Sequence, residues 1–452
     1  MEKTFSIVTL GCKLNQFESQ CIREALQRRH WVYRRFEDGA SFYIINSCTV
    51  TRRSDGRCRN AVRRTRKTAP GSFIVVTGCY AETQRERLEA NHEIDLVVGN
   101  GAKSRIPAIL DEIAARGESP VRGAPGAVSG AGPLEDGRIE RFLDHSRAFV
   151  KVQDGCDAAC SYCIVPRARG AGRSVPADKV LSQVRLLRDN GYGEIVLTGV
   201  HIGRYGADLR PASTLASLVE EILERTESLR IRLSSIEPTE VTPKLLALVR
   251  RTERVAPHFH VPLQSGDDRI LAAMNRPYRA ADFRDLIAEI ARTRDGVAIG
   301  TDIIVGFPGE TDERFERTFS LVGELPLCYL HVFGFSPRPL TPAAAMGGAV
   351  SAVVKKARSS RLIGLGAAKR GAFLASQIGT RHESVVEGAA RNASSFVRTL
   401  TGNYCEVFVP RAGLRPGALV PVRIERMMRG DLYGAPVGLP EARERESETG
   451  VR

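Results

Sequence analysis

A chain of 452 residues is too long for one ordinary hydrophobic core, so two or three domains are expected. With 42% hydrophobic and 26% charged residues, and no apolar run near the roughly 20 residues of a membrane helix, the composition argues against a helical membrane protein. Ten cysteines are too few for a disulfide scaffold of this length, and a formal charge of +14 favours a polyanionic partner, RNA foremost, although basic proteins need not bind nucleic acid.

The opening Met1-Glu2-Lys3-Thr4 leads into a short apolar run without the features of a signal peptide, so a cytoplasmic location is expected. In that reducing compartment the cysteines read as metal ligands or catalytic groups. Residues 1–115 alternate short apolar runs with helical patterns. Phe5–Leu10 ends at Gly11-Cys12, Phe42–Asn46 at Ser47-Cys48, and Phe73–Thr77 at Gly78-Cys79. Strands separated by helices pair in parallel, and ligands of such sheets sit beyond the strands' carboxyl ends. The three cysteines are therefore expected on one edge. Three thiolates suit an iron–sulfur cluster with one open iron; the alternative is three small buried residues. Cys21 and Cys58 fall inside helical stretches and read as structural. Thr51–Lys67 holds eight basic residues and one acid, a helix that lies along phosphates or presents a solvated face.

Residues 116–141 are rich in Gly, Pro, Ala and Ser and read as a linker. The third segment, 142–372, opens with Cys156, Cys160 and Cys163 in DGCDAACSYC, directly after a strand-like run. Such a loop can ligate three irons of a 4Fe–4S cluster and leave the fourth for a small chelating ligand. Structural zinc wants four ligands, and neither a fourth close cysteine nor paired histidines accompanies this triplet. The spacing, with Tyr162 before the last cysteine, resembles the signature of the radical S-adenosylmethionine superfamily. Strands are expected near 148–153, 194–198, 230–234, 258–262, 299–305 and 328–334. Helices fill 177–190, 213–227, 243–251, 268–274, 281–294 and 312–324, which describes a partial (β/α)6 barrel. Its pocket loops are then TGVHIG, SSIEP, LQSG and GFPGE, past the strand ends. Gly306 to Glu310 is expected to bring backbone close to an adenine, and Gly199 to a methionine moiety. Each of these loops also reads as a tight turn.

From Ser351 a helical pattern runs to Gly379, and β-rich runs follow at 383–387, 396–401, 404–409 and 418–425. Residues 375–438 are expected to form a small barrel or sandwich, and 439–452 a disordered tail. Phe396, Tyr404 and Phe408, with Arg391, Arg398 and Arg411, either stack and grip RNA or belong to the core. Cys328 and Cys405 are isolated and read as structural.

GCKLNQFES, INSCTVT, VVTGCYAE, VQDGCDAACSYCIVPRARG, LTGVHIGRYG, HVPLQSGDDRILAAMNRPY and TDIIVGFPGETDERFERTF together resemble the methylthiotransferase family. The resemblance implies an N-terminal parallel α/β domain with an auxiliary cluster, a radical S-adenosylmethionine barrel, and a C-terminal β-barrel, called TRAM, that contacts RNA. It matches Cys12, Cys48 and Cys79 to the auxiliary-cluster ligands, and Cys156, Cys160 and Cys163 to the ligands of the cluster that binds S-adenosylmethionine. It further implies two 4Fe–4S clusters, S-adenosylmethionine, a one-electron reductant and a sulfur donor; no catalytic side chain is identified. An unactivated aromatic C–H requires radical chemistry, which the cofactor supplies. GCKLNQFES is nearest to the branch acting on N6-threonylcarbamoyladenosine at position 37, in the tRNA anticodon loop, where methylthiolation falls on C2. Isopentenyladenosine-37 or a ribosomal-protein side chain is the alternative substrate. A non-catalytic iron–sulfur RNA-binding protein is the reading from another class.

Overall fold

In the computed structural model, which describes residues 2–116, 137–142, 145–390, 393–411 and 413–438, the first unit is a three-layer α/β sandwich. Most of the expected linker, the expected tail and Arg391 lie outside the described residues. The sandwich runs β1 (Thr4–Thr9), α1 (Lys13–Gln27), β2 (Val32–Tyr33), β3 (Phe42–Ser47), α2 (Arg52–Thr68), β4 (Phe73–Gly78), α3 (Cys79–Thr83), α4 (Arg85–Glu89), β5 (Leu96–Val98) and α5 (Ile106–Arg116). All five strands pair in parallel in the order β2-β1-β3-β4-β5. β3 and β4 are buried along their whole length, which is why FYII and FIVV read as unbroken apolar runs. Ile22 and Leu26 of α1 and Ile106 and Leu110 of α5 cover one face, against Phe42 and Phe73. Cys58 and Val62 of α2 cover the other, against Tyr43 and Ile74.

The central unit runs β6 (Ala148–Lys151), β7 (Gln153–Asp154), α6 (Val165–Arg169), β8 (Arg173–Ser174), α7 (Ala177–Asp189), β9 (Glu194–Thr198), α8 (Leu215–Arg225), β10 (Arg230–Leu233), α9 (Pro243–Arg251), β11 (His258–His260), α10 (Asp268–Ala273), α11 (Ala280–Ala291), β12 (Ala298–Val305), α12 (Asp312–Glu324) and β13 (Tyr329–Gly334). Two parallel sheets, β6-β9-β10 and β11-β12-β13, meet through the bridge Ile231–Val255 and form a six-stranded wall with helices outside. Threonine caps begin three of the helices, Thr214, Thr242 and Thr311 each accepting a backbone N–H three residues on. β11 stops at His260, short of the expected 262, because Pro262 has no N–H for the ladder. The wall is a partial barrel with β6 and β13 as its edges; α1 packs along β6.

α13 (Ala352–Ser376) lies along β13 and leads to β14 (Arg381–Ala390), β15 (Ala393–Thr401), β16 (Glu406–Pro410), β17 (Leu419–Met428) and β18 (Asp431–Pro436). These close into a barrel, β14-β15-β16-β18-β17, which decides between barrel and sandwich. β18 escapes the sequence pattern because DLYGAP carries Gly and Pro. Val386, Val397, Val407, Val409, Val422, Ile424 and Leu432 fill the barrel. Cys328 and Cys405 are buried, in keeping with structural roles.

Candidate cluster sites and the lumen between them

Cys12, Cys48 and Cys79 each stand at the carboxyl end of a strand, on β1, β3 and β4. The strand ends come together because two residues carry no side chain. A Cβ on Gly78, whose φ is +98°, would stand 2.3 Å from the Ser47 carbonyl oxygen. One on Gly11, at φ +105°, would stand 2.6 Å from Cys48 Cβ. Asn15 then ties the ends, its Nδ2 donating to the Leu10 carbonyl at 2.7 Å and the Ser47 carbonyl at 3.0 Å. Cys48 and Cys79 are buried and Cys12 is exposed, so the set has one open side. Burial pushes the Cys48 thiol up, and Cys79 and Cys12 add to it. Three sulfurs converging on one site are stabilised as thiolates by a cationic iron cluster, so the residues fit that group. The N-terminus of the 15-residue α1, capped at Cys12, adds a partial positive charge on the same side.

The second triplet lies on the loop between β7 and β8, whose antiparallel pairing closes it at Gln153↔Ser174 and Asp154↔Arg173. Cys156 N donates to the Gly170 carbonyl at 3.0 Å. Donors converge on the sulfurs: Ala158 N lies 3.4 Å from Cys156 Sγ, His201 Nδ1 3.4 Å from the same atom, and Arg276 Nη1 donates to Cys160 Sγ at 3.1 Å. Donors to sulfur are what a thiolate-held cluster uses to disperse its charge. Burial pushes Cys163 up to about 12, with Cys160 and Cys156 adding to it, and again three free thiols are a poor substitute for an iron-bound set. Arg276 is itself held by Glu237 and by Tyr278 OH at 3.1 Å. His201, Glu237 and Arg276 sit inside TGVHIG, SSIEP and HVPLQSGDDRILAAMNRPY, yet sequence reasoning singled out none of them; their strand-end loops were the available signal.

Gly199 packs against the cysteine loop, since a Cβ there would stand 2.7 Å from the Gln153 carbonyl oxygen. Gln153 fastens both loops, with Oε1 accepting from Val200 N and His201 N and Nε2 donating to the Asp154 and Gly155 carbonyls. The turn from Gly306 to Glu310 is closed by Glu310 itself, whose buried carboxylate accepts from Gly306 N at 2.6 Å and pairs with Arg358. Phe307 is core, packed with Ile270 and Met274 and bordered by Tyr162.

Two side chains join the cysteine sets. Arg169, six residues past Cys163, donates to Glu18 Oε1 at 2.8 Å, Asp154 Oδ1 at 3.0 Å and Asn15 Oδ1 at 2.6 Å. Asn100 Nδ2 donates to the Ala168 carbonyl at 2.5 Å and approaches Cys79 Sγ at 3.8 Å.

Within the partial barrel the lumen is polar. Tyr329 OH bridges His258 Nε2 at 2.8 Å and His260 Nδ1 at 3.0 Å. Asp302 Oδ1 accepts from His260 at 2.9 Å and His331 at 3.1 Å. Burial opposes ionisation of Asp302, but these two imidazoles outweigh it and hold the carboxyl well below its usual range. His258 is kept neutral by burial and by Arg232 and Lys13. At the floor, Arg230 and Arg232 pair with Glu194 at 2.6 and 2.8 Å. They also donate to the Glu383, Leu400, Thr401 and Gly402 carbonyls of the C-terminal barrel. Tyr404, from that barrel, enters the lumen at φ +64° and stacks on His258.

The expected RNA-facing residues divide. Phe396 and Phe408 are half-buried outside the valine core and meet Tyr433, at centroid distances of 5.7 and 5.5 Å, with Arg426 beside that ring. Arg398 is paired with Glu387 and Glu406. On α2 the buried face is Asp55, Cys58, Val62 and Thr65; Arg64 and Arg66 are paired, while Arg53, Arg57 and Arg63 face solvent.

Residues 150–322 match the Radical SAM superfamily, and residues 4–99 match a family described as uncharacterized protein family UPF0004. The threonylcarbamoyladenosine tRNA methylthiotransferase MtaB of Bacillus subtilis is 38% identical over 80% of this chain and 80% of its own. The protein of that name in Aquifex aeolicus is 36% identical over 92% and 98%, respectively. The tRNA-2-methylthio-N(6)-dimethylallyladenosine synthase of Moorella thermoacetica is 31% identical over 96% and 98%. Among solved structures, the radical S-adenosylmethionine methyltransferase TsrM of Kitasatospora setae aligns over 76% of this chain and 74% of that one with a TM-score of 0.54. At 15% identity that likeness concerns the fold alone.

The barrel and its cysteine loop define a radical S-adenosylmethionine enzyme. With relatives of this identity matched over four fifths or more of their length, the chain belongs to the methylthiotransferase family, in its threonylcarbamoyladenosine branch. No helix among the described residues is long and apolar enough to cross a membrane.

Proposed function

We propose that this enzyme converts N6-threonylcarbamoyladenosine at position 37 of tRNA to its 2-methylthio derivative. The observation that carries the reading is the pairing of two three-cysteine sets, one at the α/β sheet edge and one on the barrel loop, joined by the buried Arg169–Glu18 contact. Cys156, Cys160 and Cys163 hold the cluster that binds S-adenosylmethionine, and Cys12, Cys48 and Cys79 hold the auxiliary cluster. When bound, the first supplies one-electron cleavage of S-adenosylmethionine and the second supplies sulfur, the chemistry an unactivated aromatic C–H demands.

The chain's own residues orient and insulate these groups. Arg276, His201 and the Ala158 amide disperse charge on the first set, and Gln153 fixes its loop against Gly199. Gly199 and the turn from Gly306 to Glu310 border the cofactor. Asn15 and Asn100 hold the second set. A one-electron reductant and a sulfur donor complete the reaction, and the setting is the cytoplasm. Nucleoside mass spectrometry of tRNA from cells lacking the gene tests this: threonylcarbamoyladenosine should persist and its methylthio derivative vanish. Loss of methylthio-isopentenyladenosine instead would overturn the substrate and leave the chemistry standing.

A further inference from the structure

Apart from the cysteine sets, the barrel lumen gathers a second group of side chains with metal-ligating chemistry. β11, β12 and β13 are parallel neighbours, with His260 opposite Gly300 and Asp302 opposite His331. Side chains alternate along a strand, so Tyr329 and His331 face the lumen while Leu330 and Val332 pack against the core. This register brings His260 Nε2, Asp302 Oδ1 and His331 Nδ1 within 4.8 Å of one another. Both imidazole nitrogens converge on the same carboxylate oxygen, at 2.9 and 3.1 Å. Two ligands each about 2.1 Å from a divalent ion stand about 3.0 Å apart at right angles and about 3.4 Å apart at the tetrahedral angle. The three atoms are thus spaced as neighbouring ligands of one ion. His260 is held at its other nitrogen, Nδ1 lying 3.0 Å from Tyr329 OH, which in turn lies 2.8 Å from His258 Nε2. Metal-bound imidazoles are characteristically oriented through the free nitrogen in this way. Asp302 pairs with these two imidazoles and with no lysine or arginine among the described residues.

We propose that His260, Asp302 and His331 bind a divalent transition-metal ion through these three atoms, with its remaining positions open to the lumen. Two imidazoles and one carboxylate form a nitrogen and oxygen donor set suited to zinc, distinct from the all-thiolate sets that hold the clusters. Three protein ligands leave at least one position for water or for an oxygen of a bound molecule. The open side is at His331, which is exposed, whereas His260 is buried. The site shares no residue with either cysteine set and does not depend on which nucleoside the enzyme modifies. The competing account is an ion pair in which a proton, and no metal, joins Asp302 to the imidazoles.

The test uses full-length enzyme with both clusters loaded, titrated with manganese(II) and read by electron paramagnetic resonance at room temperature, where the clusters are silent and free manganese is counted directly. Manganese prefers oxygen and nitrogen donors to thiolates, so it reports on this set and not on the cysteines. The wild-type enzyme should bind one equivalent that stoichiometric zinc releases. His331→Ala and Asp302→Asn should each lose that equivalent, with iron content unchanged as the check that fold and clusters are intact. Tyr329→Phe keeps all three ligands and should weaken the site by about ten- to one-hundred-fold, the cost of removing a group that orients a ligand. Identical manganese isotherms and zinc release in wild type, His331→Ala and Asp302→Asn would overturn the site. A wild type that binds neither ion would overturn it equally and leave the ion pair. Should Asp302→Asn fail to fold, His331→Ala decides alone, since His331 is exposed and Asp302 keeps its contact with His260.

Discussion

Arg169 and Glu18 form a buried ion pair at 2.8 Å that stands six residues from Cys163 on one side and six residues from Cys12 on the other. Lys103 also pairs with Glu18, Asp154 with Arg169 and Lys151 with Asp154, so the contact is a five-charge network rather than an isolated pair. It links the helix that follows Cys12 to the loop that carries Cys163. Removing one partner of such a pair costs about 3–5 kcal/mol, because the other charge is left buried. Arg169→Met should therefore lower the thermal midpoint clearly and loosen the N-terminal unit to limited proteolysis. An unchanged midpoint and cleavage pattern would show that the network does not hold the two units together.

The same network sets an acid limit. Burial opposes the charge on Glu18, but Arg169, Lys103 and Lys151 outweigh it and hold its carboxyl well below the usual range; Glu194 is held down in the same way by Arg232 and Arg230. A carboxyl whose folded pKa is depressed contributes stability that is fully present above the unfolded value, about 4.3 for Glu, and lost as pH falls toward the folded one. Stability should thus be level in these groups from pH 6 to 8 and fall steeply below about pH 4.5. In Glu194→Gln the acid slope should be shallower, as read from denaturant unfolding at a series of pH values. An identical slope would remove Glu194 from the acid response.

Cysteine substitutions should split the reaction. Cys156→Ala, Cys160→Ala or Cys163→Ala removes one of three ligands and should abolish formation of 5′-deoxyadenosine, with iron content falling by about half as one of two equal clusters is lost. Alanine at Cys12, Cys48 and Cys79 together should spare that cleavage and stop methylthiolation. Full cleavage in a barrel-loop variant, or full methylthiolation in the triple variant, would contradict the assignment of that set.

Much of this is legible in the sequence. Strand ends placed Cys12, Cys48 and Cys79 on one edge because a parallel strand–helix repeat leaves few alternatives, and six barrel strands followed from apolar runs with regular spacing. The strands of the C-terminal barrel were harder: β18 carries a glycine and a proline where a strand is expected to be β-branched. Long-range polar contacts were not legible at all. Arg169 reads as one more basic residue in VPRARG. Only the packing of α1 along β6 brings Glu18 to Arg169.

RNA binding by the C-terminal barrel should be tested by point substitution and not by truncation. Deleting it would strip Arg230 and Arg232 of the Glu383, Leu400, Thr401 and Gly402 carbonyls, leaving two buried guanidinium groups short of acceptors at the floor of the catalytic barrel. It would also remove Tyr404 from its stack on His258. The outward patch avoids this, since Phe396, Phe408 and Tyr433 stand outside the valine core, with exposed Arg426 beside them. Stacking of a base on an aromatic ring contributes about 1–3 kcal/mol. Phe396→Ala with Phe408→Ala should therefore weaken tRNA affinity by at least about tenfold, with little change in its salt dependence because no phosphate contact is lost. Arg426→Gln should instead reduce the salt slope by about one. Binding isotherms at three or more salt concentrations separate the two effects. Equal affinity of wild type and the double alanine variant at matched salt would exclude this face of the barrel from RNA recognition.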